Sequence, residues 1–148
     1  MVEQAIAQYS EIPIDILPHC FVHGDFTKAN ILKGDDGKIY IIDFSVANWY
    51  PRIQELSVIV ANLLYDKDNP LTLHERIDLV LNEYGKLKPL TKEERKYIYP
   101  YALAGMAMEF IGACYEKCIN NNDIEENNYW MDLGRDGLKK EFSVKSKI

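Results

Sequence analysis

A chain of 148 residues can bury one sizeable core but is too short for two comfortable domains. Its 47% apolar content is globular and not disordered, and a net charge of −6 with both signs interspersed argues against a nucleic-acid-binding face. No run approaches a membrane span, and MVEQAIAQYSEIP lacks the basic start and long apolar core of a secretory signal, so a cytoplasmic chain with no membrane partner is expected.

Residues 2 to about 9 read as a short helix, ended around Pro13. After Pro18, the apolar run CFVHG suits a short buried strand or strand end. ANILK (29–33) and KIYIIDF (38–44) flank Gly34-Asp35-Asp36-Gly37, and an Asp-Gly pair between two such runs predicts a hairpin. Everything beyond is expected to be helical. Pro51 suits a first helical position. Ile53, Leu56, Val60, Leu63 and Leu64 then keep one face apolar, and Ile59 widens it. Arg52 stands three residues before Glu55, as an ion-pair partner or a plain surface residue.

Asn69-Pro70 breaks this pattern. Thr72 and Glu75 have the spacing of a capping box, Ile77, Val80, Leu81 and Tyr84 follow at helical spacing, and Gly85 suits a stop. Thr91 and Glu94 repeat the capping spacing. They head a helix whose Tyr97, Tyr101, Ala104, Met108, Ile111 and Tyr115 stripe predicts core packing, with Pro100 kinking it or opening a second helix. Cys114 and Cys118, neighbours on one helical face, are expected as small apolar core residues; with Cys20 they make neither a disulfide framework nor a zinc knuckle. Asn120 to Asp123 is a break. A last helix, interrupted near Gly134, is expected to reach about Phe142 before a frayed tail.

The residues that carry chemistry gather around the hairpin. His23, Asp25 and Asn30 in HGDFTKAN fit H-x-D-x-x-x-x-N, and Ile42-Asp43-Phe44 follows at the end of the second strand. Carboxylates and carboxamides beside apolar strands are costly unless something pairs with them, and a cation carrying a phosphorylated ligand would do so. Magnesium favours one or two carboxylates with phosphate and water oxygens; Asp43 and Asn30 offer hard oxygens, and a loop can turn Asp25 toward an acceptor hydroxyl. Singly, Asp25 could cap a turn, Asn30 could satisfy a backbone group and Asp43 could end a strand. Together, at two fitted spacings, they favour phosphoryl transfer. Lys28 reads as a solvated loop lysine, and His19 and His74 as structural or exposed residues.

HGDFTKAN followed by GKIYIIDF strongly resembles the aminoglycoside phosphotransferase and choline kinase family, most specifically over residues 20 to 64. In that family a glycine replaces the arginine usual in the protein-kinase loop. The resemblance implies a single α+β, mainly α-helical domain over 1–148, a protein-kinase-like C-terminal lobe with a small β-hairpin beside the catalytic loop. It implies Asp25 as catalytic base, Asn30 and Asp43 as the Mg²⁺ ligands that also hold ATP or another nucleoside triphosphate, His23 as a structural residue of the loop, and Glu55 as its brace.

No G-x-G-x-x-G, P-loop or V-A-x-K segment occurs, so the N-terminal lobe of such an enzyme is expected to be absent and the chain inactive alone. The expected partners are a small hydroxyl acceptor (aminoglycoside, choline or homoserine-like), the missing lobe in cis or in trans, and a second copy through bared apolar surface. The alternative is a non-catalytic kinase-like binding or scaffolding module. A metallophosphoesterase fits poorly, because His19, His23 and His74 are scattered.

Overall fold

A computed structural model describes residues 1–66, 68 and 71–144, so the Asn69-Pro70 break and the last four residues of the tail lie outside the described residues. Helix α1 (Val2–Ser10) buries Ala5, and a single tight turn (Ile14–Ile16) leads into strand β1 (His19–Val22). Strands β2 (Ile31–Lys33) and β3 (Ile39–Ile41) form the hairpin anticipated from Asp-Gly, in the register Ile31 opposite Ile41 and Lys33 opposite Ile39. The turn closes through the Gly34 amide on the Lys38 carbonyl (2.9 Å), and Gly37 takes the left-handed conformation such a turn requires (φ +76°).

The chain does not become helical directly after this hairpin. Strand β4 (Asn48–Pro51) pairs antiparallel with β1, Phe21 opposite Trp49 and His19 opposite Pro51. Pro51 therefore ends a strand instead of opening a helix. Its neighbour Arg52 extends the ladder by donating its amide to the Pro18 carbonyl (2.8 Å). Nor is CFVHG buried throughout: strand alternation turns Val22 inward and leaves Phe21 66% exposed.

Helix α2 (Ile53–Val58) runs into a wider π-helical turn (Ile59–Leu63). Buried Arg76 donates from Nη1 to the Val60 carbonyl inside that turn (2.7 Å) and lies over the Tyr65 ring. Helices α3 (Leu73–Leu87) and α4 (Lys92–Ile119) both begin with the anticipated capping boxes, Thr72 with Glu75 and Thr91 with Glu94. The α3 helix passes Gly85 because its last turn stays hydrogen-bonded, the Lys88 amide reaching the Tyr84 carbonyl (3.0 Å).

Helix α4 continues through Pro100 with no second start, and α5 (Glu125–Val144) packs along it. Gly134 does not interrupt α5. It sits where the two backbones come closest: a Cβ there would meet the Met106 carbonyl oxygen and the Phe110 amide nitrogen at 2.6 Å. The core lies around α4, with Ile98, Leu103 and Met106 packed among Ile53 and Val60, Leu73 and Ile77, and Leu138. The aromatic and methionine stripe is core only in part. Tyr101 and Ala104 are buried, whereas Met108, Ile111 and Tyr115 are exposed, because α5 covers a different face of α4. Cys118 is exposed too; all three cysteines are free thiols.

Arg52 pairs with Glu94 and not with Glu55. Its Nε reaches Glu94 Oε1 at 2.8 Å and its Nη2 reaches Oε2 at 2.6 Å, with both side chains buried. Burial pushes the Glu94 carboxyl up. The Arg52 hydrogen bonds and the Thr91 amide outweigh it and leave Glu94 below its usual range. This pair ties the start of α2 to the first turn of α4.

Candidate active site

The loop between β1 and β2 is held by reciprocal bonds of its own polar residues. Gly24 adopts φ +88°, and a Cβ there would stand 2.9 Å from the Val46 carbonyl oxygen, so both conformation and space call for glycine. His23 is buried behind it. Its Nε2 donates to the Ile42 carbonyl (2.8 Å) and its Nδ1 accepts from the Asp25 amide (3.2 Å), which defines a neutral ring protonated at Nε2. Phe44 packs against that ring at 4.6 Å. One imidazole thus joins the loop of Asp25 to the turn of Asp43.

Asn30 makes the second link. Its Nδ2 donates to the Asp25 carbonyl (2.9 Å) and to Asp25 Oδ2 (2.8 Å), so the amide orientation is fixed and Oδ1 is left as the acceptor. The Asn30 carbonyl accepts from the Ile42 amide (3.1 Å), one residue before Asp43. Asp43 is exposed, at φ +60°, a left-handed conformation rare outside glycine but more tolerable for Asp. Its Oδ1 accepts from the Ser45 amide (3.2 Å). Hydrogen bonding from the Ser45 side chain and amide holds the Asp43 carboxyl below the ordinary carboxylate range.

Asp25 and Asn30 are therefore in direct contact, and Asp43 is bound to them through the Ile42 peptide and His23. The oxygens left over, Asn30 Oδ1 and Asp43 Oδ2, are one carbonyl and one carboxylate oxygen, hard donors of the kind Mg²⁺ prefers. Among the described residues, no three His, Cys, Asp or Glu side chains gather at metal-holding distance.

Glu55, at the start of α2, accepts the Gly24 amide on Oε2 (3.0 Å) and braces the loop as anticipated, while its Oε1 is buried without a hydrogen-bond partner among the described residues. Clefts open on more than one side of the loop. One of about 270 Å³ lies behind it, between His23, Phe44, Glu55 and Tyr84. The larger, about 570 Å³, opens at Gly24 and Val46 and runs between α1, α2 with its π-helical turn, and α4.

A family model described as "Phosphotransferase enzyme family" matches residues 2–90. The chain belongs to the phosphotransferase enzyme family. The matched span holds His23, Asp25, Asn30, Asp43 and Glu55 and stops before α4. No curated protein matches this phosphotransferase-family chain closely enough to serve as a relative. Among its described residues, no helix is long and apolar enough to cross a membrane.

Two residues beside the larger cleft were not singled out in the sequence. Asn62 is buried in the π-helical turn, and Glu109 projects from α4; they meet at 3.5 Å. Neither belongs to a short motif, and the only local sign, a lone acid within the apolar stretch of α4, resembles many surface acids.

Proposed function

We propose that this phosphotransferase is a protein-kinase-like catalytic and acceptor-binding lobe, which passes the γ-phosphate of ATP (or another nucleoside triphosphate), with Mg²⁺, to a hydroxyl of a small molecule. The observation that carries this reading is the hydrogen-bonded unit of Asp25, Asn30 and His23 with the Ile42 peptide before Asp43. With Oδ2 engaged by Asn30, Asp25 offers Oδ1 to the acceptor hydroxyl. As that oxygen bonds to phosphorus and the bond to the nucleoside diphosphate breaks, the hydroxyl proton passes to Asp25. Asn30 Oδ1 and Asp43 Oδ2 would hold Mg²⁺, which supplies charge neutralisation for the phosphates. His23 and Glu55 keep the loop in register.

The strands present an apolar face suited to a second, nucleotide-covering lobe, supplied in cis or in trans. Phe21 and Trp49 face each other across β1 and β4, 66% and 64% exposed, and Ile39 and Phe44 are similarly bare. Withheld from that lobe, the same face favours self-association. The reading is tested by joining or mixing the chain with a nucleotide-binding lobe of the family and following Mg²⁺-dependent transfer from labelled ATP to a panel of hydroxyl acceptors. Transfer is expected to appear and to vanish with Asp25→Asn. No transfer to any acceptor, with both lobes folded and associated, would favour a binding or scaffolding module.

A further inference from the structure

Helix α4 bares a second apolar face, separate from that of Phe21 and Trp49 and not covered by α5. Met108, Ile111, Tyr115 and Ile119 are all exposed, Met108 by 73%, and Gly112 lies bare between them. At about 3.6 residues per turn these five positions span about 100° of the helix, the width of a packing seam, and no charged residue interrupts it. Met108 and Tyr115 stand one heptad apart, as do Gly112 and Ile119. The bared side chains offer roughly 400–500 Å² of apolar surface, where the largest patch on a typical monomer is about 300–600 Å² and often functional.

The order of sizes along this seam matches itself in reverse. Turned antiparallel about the Ile111–Gly112 peptide, the helix lays Ile111 against Gly112 of a second copy, Met108 against Tyr115, and Ile119 against Ala104. A Cβ added at Gly112 would meet nothing within 4 Å, so that position is open to a side chain from outside. Methionine sulfur against an aromatic ring is a favourable contact, and Ala104 beside Ile6 leaves room for an isoleucine. A parallel pair would instead set Gly112 on Gly112 and Tyr115 on Tyr115, a void beside a crowded contact.

We propose that this chain pairs with a second copy of itself through the outer seam of α4, antiparallel and centred between Ile111 and Gly112. Two such faces, with Ile6 at their edge, bury about 1,000 Å², the lower limit for a specific interface, so the pair is weak and reversible. Ile6, Met108 and Ile111 also line the 570 Å³ cleft, so the second copy stands at its rim and completes the outer wall. The pairing depends on the helix face alone, whatever reaction the loop performs.

Sedimentation equilibrium tests it on the whole chain carrying Phe21→Lys and Trp49→Lys, which charge the strand face. A monomer–dimer equilibrium is expected, with Kd on the order of 10–100 μM. It should tighten with added salt, which screens the charge of −6 on each copy and the acids Glu109 and Glu116 flanking the seam. Met108→Glu or Tyr115→Lys alone should weaken it at least about tenfold, and mixing the two should restore the dimer, because the antiparallel register brings position 108 of one copy to position 115 of the other. In the unmodified protein, the Met108, Ile111 and Ile119 methyl resonances should shift with protein concentration, a check that involves no variant. Fixed seam resonances up to millimolar concentration, a dimer untouched by either seam variant, no restoration on mixing two variants shown folded by circular dichroism, or weakening with salt overturns the proposal. Seam resonances that move only when a nucleotide-binding lobe is added would give the face to that lobe and overturn it equally.

Discussion

Removing either partner of the Arg52–Glu94 pair should be among the most damaging single changes in this chain. The guanidinium is 10% exposed and the carboxylate 0%, joined by two parallel hydrogen bonds, so truncating one leaves the other as a desolvated charge. For such pairs the cost is about 3–5 kcal/mol. Arg52→Ala should fall at the lower end, since Glu94 keeps its bond from the Thr91 amide at 2.8 Å. Glu94→Ala should lie higher, because it also removes the capping box of α4, worth about 1 kcal/mol more. The double variant should cost less than the two singles together, with a coupling of about 2–3 kcal/mol by urea denaturation. Lowering the pH supplies a signed check. Glu94 lies below its ordinary 4.5 in the folded chain, so its contribution is complete above that value and is lost as pH falls through the folded-state value. The stability gap between the parent and Arg52→Ala should therefore close in acid. Single costs under about 1 kcal/mol, or a coupling near zero, would refute the argument that this buried pair fastens α2 to α4.

Other changes test the loop and the helix contact. Gly24→Ala forces a side chain into φ +88° and against the Val46 carbonyl, and should cost about 1–3 kcal/mol in denaturation while lowering two-lobe transfer further than that loss explains. Glu55→Gln keeps an oxygen for the Gly24 amide and should be mild, whereas Glu55→Ala leaves that amide without its partner and should cost about 1–3 kcal/mol and slow transfer. Gly134→Ala would put a methyl 2.6 Å from two α4 backbone atoms; the helices must part, at about 1–3 kcal/mol or more, read as a lowered melting temperature. Spectrophotometric titration of tyrosine should find Tyr99 ionising only near 12, because burial pushes it up and Glu141 beside it adds to the shift, while burial holds Tyr101 higher still; loss of the step near 12 alone in Tyr99→Phe confirms the assignment.

Local chemistry was legible in the order of residues. Two capping boxes, the Asp-Gly hairpin and the H-x-D-x-x-x-x-N spacing each depend on side chains and backbone a few positions apart, so sequence alone announces them and places Asp25, Asn30 and Asp43 around one hairpin. What it could not announce depends on partners far along the chain. Arg52 meets Glu94 across 42 positions and not the nearer Glu55, because α4 brings a buried acid to it. Asn48–Pro51 becomes a strand only because β1 is there to receive its hydrogen bonds. The stripe on α4 divides into core and cleft wall according to where α2 and α5 pack, and this division puts Glu109 opposite Asn62. Periodicity tells which residues share a face of a helix. Only the assembled fold decides which of those faces is covered and which is left open to a ligand.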